Sequence, residues 1–507
     1  MKNKSVSNNI IYNMAFQLFT TFIPVIITPY ISRTLGLENN SIYSFVETIV
    51  TLIAILGTIG TFLYGSRKIA YVRDDKYNLS KCTYEIIFLK VFLLIPLLLI
   101  YIFSFCISGK YKLYFLISTI TIISSSIEIT WFFNGLEEFK LITIRNFIIK
   151  ICFVISLFLF VKSENDLINY FWIVVINGFI SNICMYPLLK KYIYPLKKIK
   201  KLNIFPHLKE SFILFIPQSA NYIYSYSDKI MLGLLTPTLN NVGIYDYAYR
   251  IVKMIVSLLQ SIGYALLSRI ANLSSKNDKN GIRKYIDLSI KFTIFLSLPM
   301  MFGLIGISNV FVPLYLGNEY IETSKVIYYL CPLILITSLN SVLGVQLLLA
   351  VRKDAEYIKC TVLGAIINIG LNFVLIPKYG IIGACITSVL SEFIVLILET
   401  IYSSEFLELK QIAKSFIRYF GCSVVILVIC LIINLFNFSN IVKLILQICA
   451  SSLFYFSILY ILKDEIFIKI IKKIKMIIQG VKKWKRKFCL LFGHLVMGEV
   501  QKNNLLV

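Results

Sequence analysis

A series of long apolar segments constrains this chain more than any other feature. A membrane-spanning helix needs about 20 mostly apolar residues. Fourteen segments meet that requirement, at residues 10–31, 41–64, 82–105, 113–135, 141–161, 167–189, 211–234, 241–267, 286–310, 324–350, 357–377, 380–403, 413–436 and 441–462. The sequence therefore predicts an all-α integral membrane protein with about fourteen transmembrane helices.

Basic residues are distributed unevenly between the loops that join these helices. If the N-terminus lies inside, the inner loops and helix ends hold thirty-seven of the 51 Lys and Arg residues, and the outer ones hold seven. Positive charge collects on the cytoplasmic side of membrane proteins. We therefore predict a multi-pass protein of the cytoplasmic membrane with both termini in the cytoplasm. Most of the basic residues behind the net charge of +25 thus lie at the cytoplasmic membrane surface, so we expect membrane lipids, and no nucleic acid, as partners.

Composition excludes several other classes of protein. Hydrophobic residues make up 58% of the chain and charged residues only 15%, which is incompatible with a soluble enzyme. The eleven cysteines form no CxxC pair, and the chain has two histidines, so no redox or zinc-ribbon motif is present. We predict no cofactor, no metal ion and no catalytic activity.

The sequence contains an internal repeat. Residues 34–67 align without a gap to residues 236–269, and eleven of the thirty-four positions are identical. The repeat relates the first two helices to the seventh and eighth, which predicts two parallel six-helix lobes around a central cavity. The predicted domains are a first lobe at 1–190, a second lobe at 206–404, two further helices at 411–463, and a basic amphipathic cytoplasmic tail at 464–507.

Polar residues follow one face of the eighth apolar segment. Asp246, Arg250, Lys253, Ser257 and Gln260 recur at helical spacing. Charged residues inside a membrane are costly and usually functional, so we predict that this stripe lines the cavity and binds substrate. The alternative is a purely structural ion pair between Asp246 and Arg250, one helical turn apart.

Further candidate cavity residues lie on the first, second, seventh and eighth segments. The predicted set is Asn13, Gln17, Thr48, Thr51, Gln218, Asn221, Asp228, Tyr245 and Tyr249. The tyrosines have an alternative place in an aromatic belt at the membrane surface. Asn368 and Asn372 are interpreted as contacts between helices. Lys150 and Glu392 belong to a group of charged residues whose long side chains could instead reach the membrane surface.

Several short motifs resemble those of the Wzx-type flippases of polysaccharide biosynthesis, within the multidrug/oligosaccharidyl-lipid/polysaccharide exporter superfamily. They are PYISRTLG at 29–36, EITWFFNGLEEFK at 128–140, FIPQ at 215–218, DKIMLG at 228–233, GIYDYA at 243–248 and NIGLNFVLIPKYG at 368–380. The resemblance implies a bacterial protein that moves undecaprenyl-pyrophosphate-linked oligosaccharides from the inner to the outer leaflet by alternating access. It also implies contacts with other membrane proteins of O-antigen or capsule assembly. Family members carry cationic cavity residues that engage the anionic head group, and Arg250 and Lys253 occupy a matching place.

Two other functions are compatible with the sequence. A multidrug antiporter of the same superfamily would be expected to have an acidic or aromatic cavity, whereas the eighth segment is net basic. A membrane polymerase or ligase would be expected to carry catalytic groups on a large outer loop. Transport driven by an H⁺ or Na⁺ gradient is a further hypothesis, with Asp228 or Asp246 as the coupling carboxylate.

Overall fold

A computed structural model describes the backbone of residues 6–107 and 110–472, and the side chains of most of these residues from 23 onward. The described residues form helices and short connections, without a β-strand. The prediction of an all-α protein is therefore confirmed. Tail residues 473–507 lie outside the described residues.

Seventeen α-helices follow one another along the described chain. They are α1 (Val6–Thr58), α2 (Thr61–Val72), α3 (Lys76–Tyr101), α4 (Lys112–Ser126), α5 (Thr130–Gly135), α6 (Phe139–Phe160), α7 (Leu167–Ile183), α8 (Tyr186–Leu189), α9 (Phe205–Leu235), α10 (Asn240–Ser275), α11 (Lys279–Leu316), α12 (Ile321–Leu330), α13 (Pro332–Asn340), α14 (Asp354–Tyr379), α15 (Ile381–Ser403), α16 (Leu409–Leu435) and α17 (Asn440–Ile461). Two π-helical segments, Ile102–Cys106 and Ser341–Leu348, extend α3 and α13. Short 3₁₀ segments lie at Glu164–Asp166, Leu196–Lys198, Asn318–Tyr320 and Ser404–Phe406.

Ten helices of the described chain are long and apolar enough to cross a membrane, or eleven if the bent pair Asn318–Leu330 and Pro332–Leu348 is one span. Each of the fourteen predicted segments nevertheless overlaps a helix. The counts differ partly because α1 carries the first two predicted segments without an intervening loop. The more polar α9 and α10, which carry the seventh and eighth, are not among the ten. The class of membrane protein is confirmed, and fourteen remains a prediction.

A glycine divides α1 into its two parts. Gly36 has φ 73° and ψ 175°, which interrupts the helical backbone between the first two predicted spans. Glycine adopts positive φ without the steric cost that a Cβ atom imposes. The carboxylates of Glu319 and Glu164 lie 3.3 and 3.4 Å from the position a Cβ would take. The chain therefore bends here in very little space.

The helices pack in two groups that meet mainly along α1. In the first group, α1 packs against α3, α4, α6 and α7; in the second, α9 packs against α14, and α10 against α11, α12 and α13. Helix α11 packs against α16 and α17, and α1 contacts α9, α10 and α11 of the second group. The exact domain boundaries predicted from the sequence stay a prediction.

The internal repeat brings equivalent positions together. Ser41 and Gly243 are related by the repeat offset, and the Ser41 hydroxyl lies where a Cβ on Gly243 would stand. Contact between equivalent positions is what an approximate two-fold axis between α1 and α10 produces. These two helices carry the predicted cavity residues of each repeat, so their junction is central to the molecule.

Candidate functional site

A buried ion cluster centres on Asp246 of α10. The residue is 3% exposed, and its two carboxylate oxygens accept hydrogen bonds from different cations. Lys229 Nζ of α9 lies 3.0 Å from Oδ1, and Arg250 Nε lies 2.8 Å from Oδ2. Arg250 also reaches Glu47 of α1 at 3.3 Å. The Asp246–Arg250 pair considered from the sequence is present, and Lys229 and Glu47 complete a network across α1, α9 and α10.

A cavity of about 330 Å³ opens beside this cluster, between α1, α6, α7 and α10. We call it the Arg250 cavity. Its polar lining consists of Thr28, Asn40, Tyr43, Lys150, Tyr170, Asn177, Asp246, Tyr247 and Arg250. About half of the Arg250 side chain is exposed, so the guanidinium reaches the cavity while it pairs with Asp246.

The structure adds Lys150 to this cavity. Its ammonium lies 5.1 Å from the centre of the Phe153 ring, a distance typical of a cation–π contact. Lys150 and Arg250 therefore line the same cavity from opposite helix groups. The sequence signal for Lys150 is a charged residue in the middle of an apolar helix, but sequence alone does not show which cavity it faces.

The predicted stripe on α10 divides between two cavities. Lys253 and Gln260 line a separate space of about 290 Å³, together with Asn340, Glu392 and Glu399. We call it the Glu392 cavity. Lys253 Nζ lies 5.3 Å from the centre of the Tyr249 ring. Arg250 thus lines a net basic cavity, whereas Lys253 lines one that also contains two carboxylates.

A second buried carboxylate, Asp228 of α9, is held by neutral donors. It is 3% exposed and accepts hydrogen bonds from Tyr245 at 2.7 Å, Asn372 at 2.6 Å and Asn368 at 3.1 Å, and from Ser388. Among the side chains that the structure describes, no basic group forms a salt bridge with it. Sequence reasoning interpreted the two asparagines as helix contacts, and the structure shows that they also bind a carboxylate.

The predicted threonines of α1 lie apart from the Arg250 cavity. Thr48 is buried, and its hydroxyl donates to the Ser44 carbonyl at 2.6 Å within the helix. Thr51 lines a third cavity of about 400 Å³, which also contains Lys90 and Glu128. The Lys90 ammonium pairs with the Glu128 carboxylate at 3.4 Å. This third cavity belongs entirely to the first helix group.

The remaining predicted residues have varied surroundings. Tyr245 is buried and binds Asp228, so it contributes to that cluster rather than to the membrane surface. Ser257 is exposed and donates to its own helix, to the Met254 carbonyl at 2.8 Å. The side chains of Asn13, Gln17, Gln218 and Asn221 lie outside the described residues.

The geometry defines a class of protein. Membrane helices enclose polar cavities, and one of these joins two helix groups and contains basic side chains. Polar sites between helical bundles at mid-membrane depth are typical of membrane transporters. Within the described part of the chain, the one group of three close metal-ligand side chains is Cys82, Glu85 and His207, and none of them lines the Arg250 or Glu392 cavity.

Comparisons with known proteins give the family. The family model described as polysaccharide biosynthesis protein matches residues 6–274, and the MatE model matches residues 214–375. The first match covers more than half of the chain. The chain belongs to the polysaccharide biosynthesis protein family, as the resemblance of its motifs predicts.

Similar proteins agree with this assignment. Two relatives are each named "Putative O-antigen transporter". The one from Shigella dysenteriae is 26% identical over 74% of this chain and 94% of its own length. The one from Escherichia coli K12 is 26% identical over 77% and 95%. Among solved structures, the lipid II flippase MurJ in an inward closed conformation superposes with a TM-score of 0.65 at 17% identity, covering 89% of this chain and 99% of MurJ. The chain therefore shares the fold of this flippase.

Proposed function

We propose that the protein is a flippase for an undecaprenyl-pyrophosphate-linked oligosaccharide, which it moves from the cytoplasmic to the outer leaflet for cell-surface polysaccharide synthesis. The observation that carries the proposal is the Arg250 cavity, in which two basic side chains lie among amide and phenol groups between the two helix groups. The names of the two transporter relatives support the same activity.

The lining of the cavity matches the chemistry of such a head group. A pyrophosphate prefers guanidinium and ammonium donors, which form strong charge-assisted hydrogen bonds. Sugar hydroxyls prefer amide and phenol partners, which Asn177, Tyr43 and Tyr170 provide. At about 330 Å³ the cavity is small for a whole oligosaccharide. We propose that it binds the pyrophosphate and the sugar nearest to it.

Arg250 has the partners that an exchange mechanism requires. Its contact with Asp246 is buried on the carboxylate side, and its contact with Glu47 joins two half-exposed side chains. An exposed ion pair contributes only about 0–1 kcal/mol. The incoming pyrophosphate replaces Glu47 as the partner of Arg250, and Asp246 continues to hold the guanidinium in place. Because the Glu47 contact joins α1 to α10, its loss loosens the junction between the helix groups.

The two groups are also joined at one end of the bundle, which we call the Arg33 end. Arg33 donates to the Leu314 carbonyl, Glu319 accepts from the Leu37 backbone N–H at 2.9 Å, and the Tyr320 hydroxyl donates to the Gly36 carbonyl at 3.1 Å. We propose that this end faces the outside of a bacterial plasma membrane, with both termini in the cytoplasm. Release of the substrate to the outer leaflet then requires these contacts to break.

We further propose that an ion gradient drives the cycle through Asp228. A carboxylate surrounded by neutral donors has unused affinity for a proton or Na⁺, and Asp246 is already paired with two cations. This proposal favours Asp228 over Asp246 as the coupling group. Other membrane proteins of polysaccharide assembly are the expected partners, and no catalytic step is assigned.

Two alternatives are less compatible with the site. A cationic drug is repelled by Arg250 and Lys150, which disfavours the multidrug antiporter. A polymerase or ligase is expected to carry its catalytic groups on a large outer loop, whereas the connections between the described helices are short. Cation-dependent efflux of drugs from vesicles in place of lipid movement would favour the antiporter.

Transbilayer movement of the lipid tests the proposal directly. Liposomes containing the protein and a polyprenyl-pyrophosphate oligosaccharide with a fluorescent sugar are exposed to a membrane-impermeant quencher. Protein-free liposomes lose only the fluorescence of the outer leaflet, and flippase liposomes are expected to lose nearly all of it. A fluorescent phospholipid is the control against general lipid scrambling. No acceleration under an H⁺ or Na⁺ gradient of either direction would contradict the proposed function.

A further inference from the structure

Three side chains of the types that bind transition metals meet where α9 begins. Cys82 and Glu85 lie in the first half of α3, and His207 lies in the first turn of α9. One ligand atom from each residue lies within 4.8 Å of the other two, and all three residues are buried. We propose that Cys82, Glu85 and His207 form a zinc-binding site.

The distances are close to those that a zinc ion requires. Glu85 Oε2 and His207 Nε2 are 2.9 Å apart, at hydrogen-bond distance. Zn–N and Zn–O bonds of about 2.0–2.2 Å in tetrahedral geometry place such ligand atoms roughly 3.3 Å apart. For this pair of atoms the metal therefore replaces the hydrogen-bonded proton with a shift of a few tenths of an ångström, and the Cys82 Sγ, which lies within 4.8 Å of both, moves in to complete the site. The thiolate of Cys82 provides the third protein ligand, and a water molecule takes the fourth position.

The surrounding hydrogen bonds orient the ligands. His207 Nδ1 lies 2.5 Å from the Tyr64 hydroxyl, and the Asn203 backbone N–H donates to Glu85 Oε1 at 2.8 Å. Metal-binding histidines usually donate their second N–H to such a partner, which fixes the ring orientation. Glu85 thus keeps Oε2 available for the metal, while Oε1 is held by the backbone.

Protons and charges balance when the metal binds. The Cys82 thiol loses its proton to solvent, and His207 changes tautomer, so that its proton leaves Nε2 and is carried on Nδ1. The Nδ1–H then donates a hydrogen bond to the Tyr64 hydroxyl oxygen, and the hydroxyl keeps its own proton, which turns away from the ring. The thiolate and carboxylate then neutralise Zn²⁺. Lys81 Nζ lies 4.0 Å from Glu85 Oε1, the oxygen that does not bind the metal. A sulfur, nitrogen and oxygen ligand set favours zinc over Mg²⁺ or Ca²⁺, which prefer oxygen ligands alone.

The location of the site suggests what the metal does. The linker between α8 and α9 lies on α3, where the Tyr194 N–H donates to the Ser80 hydroxyl at 2.9 Å and Tyr84 donates to the Tyr194 carbonyl at 2.9 Å. His207, in the first turn of α9, extends this contact with α3 through its hydrogen bond to Glu85. Zinc therefore fixes the start of α9 to α3, at the point where the chain passes from the first helix group to the second.

Cobalt binding tests the site without any transport assay. The full chain is purified in detergent, stripped with a chelator and titrated with Co²⁺, whose bond to a thiolate gives a charge-transfer absorption. We expect one equivalent of this absorption per chain, and its loss when Zn²⁺ is added. Cys82→Ser removes the band, whereas Cys449→Ser, at an exposed cysteine, retains it. Tyr64→Phe is expected to weaken Co²⁺ binding about 10- to 100-fold, because it removes the partner of the imidazole.

Two results would overturn the proposal. One is a wild-type titration without saturable binding at one equivalent. The other is an unchanged band in Cys82→Ser. If that variant does not fold, zinc X-ray absorption of the wild-type chain decides: one sulfur ligand supports the site, and none contradicts it. Because none of these measurements depends on lipid movement, failure of the zinc site and failure of the flippase function are distinguishable.

Discussion

Asp246 and Asp228 are two buried carboxylates on neighbouring helices, and different kinds of partner stabilise their charges. Asp246 accepts hydrogen bonds from Lys229 and Arg250, so its negative charge is fixed by cations. Asp228 accepts from hydroxyl and amide groups, with Tyr245, the neighbour of Asp246 in sequence, as one of its donors. A buried charge needs either a counter-ion or several hydrogen bonds. The first arrangement fixes Arg250 beside its cavity, and the second leaves a carboxylate without a cationic partner among the described side chains.

The largest effect is expected when the ion-paired carboxylate loses its charge. Asp246→Asn leaves Lys229 buried without its counter-ion, and breaking a buried pair costs about 3–5 kcal/mol. Because Arg250 is half exposed and keeps Glu47, we expect the lower part of that range. The loss is measured as a lower free energy of unfolding in detergent.

Asp287→Asn provides the matched control for this variant. Asp287 pairs with Lys291 at 2.7 Å, also one helical turn away, but both side chains are about one quarter exposed. We expect a smaller cost there than at Asp246, because Lys291 is less buried than Lys229 and keeps a hydrogen bond to Gln411 Oε1 at 3.0 Å. Equal destabilisation by the two substitutions would mean that the Asp246 cluster is not a strongly coupled ion network.

The next effect separates the two basic residues of α10. Arg250→Ala removes a charge-assisted contact with the pyrophosphate, worth about 1.5–3 kcal/mol, so flipping in liposomes should fall roughly 10- to 100-fold. Lys253→Ala should lower it less, because Lys253 lines the Glu392 cavity. Membrane abundance of each variant is the control. Normal flipping by the double variant would show that the stripe is structural, and a larger loss in Lys253→Ala would place the pyrophosphate in the Glu392 cavity.

The sequence was sufficient to predict the fold class and the helix that carries the ion cluster. The lengths of the apolar segments, the uneven distribution of basic residues and the internal repeat can all be read from one sequence, because none of them depends on contacts between distant residues. The helical spacing of Asp246 and Arg250 likewise indicated a pair within one helix. The other two members of the ion cluster, Lys229 and Glu47, lie on two other helices, and the spacing within α10 did not indicate them.

Contacts between helices limited the prediction of the site. Lys150 lies in an otherwise apolar helix, and only the packing of α6 against α1 and α7 places it in the Arg250 cavity. Asn368 and Asn372 were correctly placed one turn apart, but their partner Asp228 lies about 140 residues away in sequence. The break at Gly36 is a further example. The apolar pattern predicted two helices there, but it did not show that they follow one another without a loop.

A smaller change is expected when the neutral-donor carboxylate is replaced. Asp228→Asn preserves shape and removes a charge that has no cationic partner among the described side chains, so the free energy of unfolding should change by less than about 1.5 kcal/mol. Flipping should lose its response to an H⁺ or Na⁺ gradient while a basal rate remains. Ser388→Ala, which removes one donor and keeps the carboxylate, should retain the response. An unchanged gradient response in Asp228→Asn would exclude Asp228 as the coupling group and weaken the contrast with Asp246.

The smallest effect is expected at the junction between the helix groups. Glu47→Gln removes the exposed partner of Arg250 and keeps the buried one, so the guanidinium remains in place but no longer has a competitor for the pyrophosphate. An exposed pair contributes at most about 1 kcal/mol, so pyrophosphate binding should tighten by no more than about fivefold. Calorimetric titration with inorganic pyrophosphate measures this change at low salt, where the pair is least screened. Weaker binding would show that Glu47 positions Arg250, and the exchange between Glu47 and the head group would then be wrong.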